Sequence, residues 1–169
     1  MESRDLLLTA YDDVEEAVRR ALDGIDPGLL TERLDADANS IGWLVWHLTR
    51  VQDDHVAEVA GVEQAWTAAG WADRFGLPFD AGATGYGFSS ADVGATRVTD
   101  PQLLVGYHAD VHRRTTEFLR TLTAEDLDRI VDRRWDPPVT LGVRLVSVIG
   151  DDLQHVGQAA LLRGLLERR

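Results

Sequence analysis

The sequence contains no cysteine. Disulfides, a thiolate nucleophile and any cysteine-held zinc or iron–sulfur site are therefore excluded, and a bound metal has to be held by nitrogen and oxygen ligands. Lysine is missing too: all 17 basic residues are arginine, which removes Schiff-base chemistry. Positive charge is scarce in general, with 29 acids against those 17 bases and a formal net charge of −12. Phosphate binding needs a basic surface that such a chain lacks, so nucleic acid is not an expected partner. No apolar run is long enough to span a bilayer. The N-terminal MESRDLLLTAYDDVEEAVRR is charged and amphipathic and reads as mature protein without a signal peptide. No membrane role is expected, and the cytoplasm is the expected compartment.

What is present fits one domain over residues 1–169, long enough to bury a core without staples. Residues Asp5 to Leu22 set Leu6, Leu7, Ala10, Tyr11, Val14, Ala17, Val18 and Leu22 at helical spacing and stop at Gly24. Asn39 or Ser40 caps a second helix, Ile41 to Val59, closed by Gly61. From 61 to 99 the pattern loosens into tryptophans, glycines and AGATGYGFSS, read as a short helix and an ordered loop, either a lid or a dimer contact. Asp100 and Pro101 open a third long helix, Gln102 to Leu122. RIVDRRWDPPVT is a short extended piece with a double-proline turn, and a fourth helix runs from Leu141 to Leu165. Four long amphipathic helices with one long crossover predict an all-α four-helix bundle.

Five histidines are the chemistry-bearing residues. Asp151 and His155 lie four apart on the fourth helix and project from one face, so they can hold one ion between them. His47, on the shoulder of the second helix, can meet them at one mouth of the bundle. Three protein ligands leave coordination positions open, the arrangement of metals that do chemistry. The structural alternative is an ordinary Asp–His pair and a satisfied His47. His108 and His112 form a rival His-x-x-x-His on the third helix, with His108 on the core-facing side, and two imidazoles at that spacing suit zinc or nickel. Asp54, Asp53 and Asp152 can orient an imidazole or be solvated, the solvated reading coming first for Asp53. The apolar stripe of the fourth helix reads as Leu145, Ile149, Leu153, Val156 and Ala160. The GYG of the long loop lacks the strand and helix of a nucleotide loop and reads as a turn. Trp66 and Trp71 are core fillers or line a pocket beside the loop.

The segments NSIGWLVWHLTRVQDDHV, WADRFGLPFD, TGYGFSS and WDPPVTLGVRLVSVIGDDLQHVGQAALLRGLL resemble the DinB-like superfamily, in its mycothiol S-transferase-like branch, over nearly the whole chain. The resemblance implies a DinB-like bundle with up-down-down-up topology, a long crossover between helices 2 and 3, and a homodimer. It implies one divalent metal, zinc or nickel, on His47, Asp151 and His155. The middle ligand is a carboxylate, as in mycothiol-dependent maleylpyruvate isomerase, with Asp152 as the neighbouring alternative. The third-helix histidines are not the usual site. The implied activity is thiol S-transfer or isomerisation, in which a low-molecular-weight thiol, mycothiol first, is presented to a small electrophile. Arg50 and Arg144 are near enough to bind carboxylates, although surface ion pairing is their expected use. The other readings are a non-catalytic metal-binding helical dimer and a metal-dependent hydrolase.

Overall fold

The structure is a computed structural model and describes residues 2–169. Helices α1 (Ser3–Leu22), α2 (Ile41–Ala60), α3 (Ala65–Ala68), α4 (Trp71–Phe75), α5 (Ser90–Ala95), α6 (Pro101–Thr121) and α7 (Leu141–Leu166) are joined by strands β1 (Ile130–Asp132) and β2 (Val139–Thr140). Local chemistry sets the long boundaries. Ser40 Oγ accepts from the Trp43 amide at 3.1 Å, and Gly61 closes α2 at a φ of 68°. Pro101 occupies the first turn of α6, where the missing amide costs nothing, and Asp100 accepts from the Gln102 amide at 2.9 Å.

The four long helices enclose the core: α1 packs on α6 and α7, and α2 packs on the same two. Their directions show in cross-helix bonds. Tyr11 donates to the Leu145 carbonyl at 3.2 Å and Arg163 to the Ala21 carbonyl at 3.1 Å, so α1 and α7 run alongside each other. Against α2, α7 runs the other way, with Arg144 meeting His55 and His155 meeting His47. Thr49 meets His108 and Gln52 meets Thr115, so α2 and α6 run together. The all-helical expectation needs one amendment, because RIVDRRWDPPVT folds into a small antiparallel hairpin of β1 and β2.

The 61–99 segment carries three short helices where one was expected. It is bound down by a buried network. Arg50 is fully buried, donates to Gln64, to Tyr107 and to the Ala83 carbonyl, and lies 3.6 Å from Asp53. Asp53 accepts from the Ala65 and Trp66 amides and from Tyr107, all within 2.9 Å. Surface pairing for Arg50 and solvation for Asp53 are thus both overturned: the start of α3 and the carbonyls of the loop supply partners that no local pattern reveals. Trp66 and Trp71 are core residues, the latter packed where Gly106 leaves room on α6.

The buried line of α7 is Leu145, Val148, Ile149, Asp152, Val156, Ala159 and Leu162. Leu153 and Ala160 lie outside it, exposed. The helix is apolar on more than one side, so its hydrophobic period does not set its phase.

Candidate metal centre

α2 and α7 bring His47, Asp151 and His155 together, with one ligand atom from each lying within 4.8 Å of the others. Two donors each about 2.1 Å from one ion are at most about 4.2 Å apart, so the three ligand atoms stand only slightly wider than a closed coordination set. The sequence-derived trio is therefore one cluster in space. His108 and His112 are elsewhere: His108 is buried with Nδ1 3.1 Å from Thr49 Oγ1, and His112 pairs with Asp12 at 2.8 Å. Burial lowers the pKa of His108 to about 3, helped by the nearby His112. Asp152 is fully buried, and neither carboxylate oxygen has a hydrogen-bond partner. It lies outside the cluster, which takes Asp151 as its carboxylate.

The imidazoles are oriented by backbone carbonyls. His47 Nδ1 lies 2.6 Å from the Thr84 carbonyl and His155 Nδ1 lies 2.8 Å from the Asp151 carbonyl. A carbonyl oxygen only accepts, so each Nδ1 carries the proton and each Nε2 keeps its lone pair. This is the arrangement in which ligating histidines are held by their second nitrogen. Asp151 Oδ2 is buried without a hydrogen bond, 3.4 Å from His155 Nδ1. Two oriented imidazole lone pairs and an unsatisfied carboxylate oxygen fit a divalent cation held by nitrogen and oxygen donors.

The protonation states of His47 and Asp151 agree with that chemistry. Burial lowers the pKa of His47, outweighing the Thr84 bond, so the ring is neutral. Burial alone would raise the pKa of Asp151, but the imidazoles of His155, His47 and His55 hold it below the usual carboxylate value. The Asp151 carboxylate in turn raises the pKa of His155. Trp43 stacks on His47 at 4.6 Å between ring centres and lies 6.3 Å from His155, walling the cluster from the core.

A cleft of about 680 Å³ opens from His47 and Asp151 between α2, α7, the loop at Thr84 and the hairpin. Arg144 forms its wall, donating to His55 Nδ1 at 2.6 Å and to Asp132 Oδ2 at 3.1 Å. That bond places the His55 proton on Nε2, and burial followed by the Arg144 charge lowers the His55 pKa. Arg144 is only 8 % exposed, so its ion pair is a fixed part of the cleft and not a surface contact.

Sequence reasoning missed three contributors. Thr84 supplies only a backbone oxygen, which no side-chain pattern records. Gly85 belongs to a stretch whose pattern reads as a turn, yet it lies against the site: a Cβ there would stand 2.8 Å from His47 Nδ1. The available signal is the glycine-rich stretch AGATGYGFSS, in which nothing distinguishes Gly85 from its neighbours Gly82 and Gly87. Asp132 reaches the cleft through the hairpin, whose double-proline turn was visible but whose position was not.

Fold and cluster together define a mainly helical protein with a His/Asp/His group able to hold a metal ion. The profile of the DinB superfamily matches residues 10–159, and the chain belongs to that superfamily. It is also similar to a solved structure described as the conserved protein of locus from Enterococcus faecalis. The two share 27% identity and a TM-score of 0.93, with 100% of this chain and 99% of the other covered. No curated protein matches the sequence. No helix among the described residues is long and apolar enough to cross a membrane.

Proposed function

We propose that this chain is a cytoplasmic, metal-dependent thiol S-transferase or isomerase that presents a low-molecular-weight thiol, mycothiol first, to a small electrophile. The observation that carries the reading is the His47–Asp151–His155 cluster at the head of an open cleft. The ligands are His47, Asp151 and His155, and the metal is zinc or nickel. The bundle is of the DinB type, its four long helices running up-down-down-up, which the paired helix ends support.

Bound there, a divalent metal supplies Lewis acidity that favours the thiolate form of an added thiol. The chain's own residues do the rest. The carbonyls of Thr84 and Asp151 hold the two imidazoles in the required tautomer, and Trp43 excludes water on the core side. Asp151 lowers the charge of the centre by one. The Arg144–Asp132 pair fixes His55, whose Nε2 proton is a donor for a ligand in the cleft. A chain without cysteine has to take its sulfur from outside, which accords with an external thiol.

Elemental analysis of purified protein is expected to give about one divalent metal per chain, in keeping with a single three-ligand site. Mycothiol is expected to be consumed with a chlorinated dinitroarene, and His47→Ala to abolish both properties. Protein that stays metal-free after incubation with zinc and with nickel refutes the centre. Protein that holds metal but consumes no thiol across a panel of electrophiles refutes the transferase and leaves a metal-binding or hydrolytic role.

A further inference from the structure

We propose that Tyr86 and Trp135 form the subsite for the electrophile, and that this electrophile carries an aromatic ring. The chain has five tryptophans, three tyrosines and four phenylalanines. Among the described residues only Tyr86 and Trp135 of these are exposed, at 91% and 66%. Both line the cleft that opens from His47 and Asp151. Elsewhere the fold covers its rings, and most of them meet another ring. Tyr86 and Trp135 meet none, and no arginine lies over either, among the described residues. A single exposed ring is ordinary, but the two such rings of a chain on the rim of one cleft mark apolar area kept for a ligand.

The rings come from distant parts of the chain, and each is tied to the site. Tyr86 follows Thr84, whose carbonyl holds His47, and its amide meets Thr84 Oγ1 at 3.4 Å. Trp135 follows Arg134, which bonds Asp132 through its amide and its guanidinium at 2.8 to 3.0 Å. Asp132 in turn accepts from Arg144 in the cleft wall. Loop and hairpin therefore each present a ring from an anchored base. Tyr and Trp have only two side-chain torsions, so they lose little entropy when a ligand settles on them.

The rest of the cleft selects an arene. Val51, Val139 and Val143 add apolar lining. The charged groups are turned on one another: Asp132 accepts from both arginines, and Asp54 accepts from Gln64. A sugar ring also stacks on indole, but here its hydroxyls would be left against valine, at the cost of their hydrogen bonds to water. An arene has no such groups to strand. The His55 Nε2 proton suits an oxygen acceptor on that arene, a nitro or carbonyl group, and such groups also make a ring carbon open to attack by sulfur. The cleft of about 680 Å³ has the size of a small-molecule site.

The inference deepens the proposed reaction and rests on that reading only for the fate of the arene, since binding needs neither metal nor thiol. The test is calorimetric titration of the full-length protein, as purified and after chelation, with 4-nitrobenzyl alcohol. Cyclohexylmethanol and methyl glucoside are the non-aromatic comparisons, and both are expected to bind more weakly than the arene. Trp135→Ala and Tyr86→Ala are each expected to weaken arene binding by about 2- to 10-fold, the worth of one aromatic contact. Trp135→Phe is expected to restore most of the loss, and Leu161→Ala, exposed and outside the cleft, to change nothing. With mycothiol and a chlorinated dinitroarene, where sulfur replaces chloride and the thiol proton is released, Trp135→Ala is expected to raise KM and leave kcat unchanged. Absence of arene binding to the wild type, or methyl glucoside binding more tightly than the arene, overturns the proposal. So does a change of less than about twofold in both alanine variants. Arene binding that depends on Trp135 in a protein that consumes no thiol upholds this subsite and refutes the transferase. Thiol consumption with arene binding indifferent to both rings refutes the subsite and leaves the transferase standing.

Discussion

Gly85→Ala is the sharpest probe of how the loop controls the metal centre. Gly85 has a φ of 92°, beyond the left-handed region that residues with a side chain visit. The added Cβ would lie 2.8 Å from His47 Nδ1, 3.0 Å from Trp46 Cζ3 and 3.3 Å from Trp43 Cζ2. Neither tryptophan yields easily, since Trp46 is fully buried and Trp43 is stacked on His47. Backbone strain costs roughly 1–3 kcal/mol, and the overlap adds a similar roughly 1–3 kcal/mol. The Thr84–His47 hydrogen bond contributes only about 1 kcal/mol net. Strain therefore wins, the loop moves outward, and His47 loses the acceptor that fixes its tautomer. Loss of such an orienting partner weakens metal binding by about 10–100-fold. The assay is zinc affinity by competition with a chromophoric chelator. Gly82→Ala is the control, because a Cβ there meets nothing within 4 Å and the backbone is unstrained. A Gly85→Ala protein that binds zinc as tightly as Gly82→Ala refutes the role given to Thr84 and Gly85.

Three further outcomes follow from the same geometry. Asp53→Ala leaves Arg50 buried without its carboxylate and three donors unmatched, so urea unfolding is expected to show a loss of roughly 3–5 kcal/mol; a loss under about 1 kcal/mol would contradict the network. Burial, then the Asp151 charge, raises the pKa of Asp152, so the folded state keeps a proton that the unfolded chain gives up above about pH 3.9. Metal-free wild type should lose stability as pH rises above that value while Asp152→Asn does not, and parallel stability curves for the two would rule this out. Because the Asp151 carboxylate raises the pKa of His155, protons compete with zinc at and above the usual imidazole value of about 6.5. Zinc affinity should climb through neutral pH and level off once His155 is neutral, so a flat profile between about pH 6 and 8 counts against His155 as a ligand.

Much of this protein is legible along the chain. The caps at Ser40 and Asp100–Pro101 and the glycine stops at Gly24 and Gly61 are local signals, and the helices begin and end where they indicate. The i, i+4 spacing of Asp151 and His155 is likewise local, and it survives folding as one side of the cluster. The phase of α7 was not legible, because both its core face and its outward face are apolar. A period of 3.6 residues then fits two directions equally well, and Leu153 lies on the outward one. Asp53 and Arg50 misled for a related reason, since charged residues are buried only where distant partners satisfy them.

The sequence by itself determined the helical architecture, the absence of any thiolate, and the residue types from which a nitrogen–oxygen metal site could be built. Those properties depend on spacing within a few turns and on composition. Only the tertiary structure decided that His47 meets the α7 pair while His108 turns into the core. It also showed that a backbone oxygen from Thr84 holds the imidazole, and that Asp132 and Arg144 wall the cleft. Each of these depends on elements far apart in the chain, and on atoms such as carbonyl oxygens that every residue carries. Their role comes from position, and position is fixed by packing.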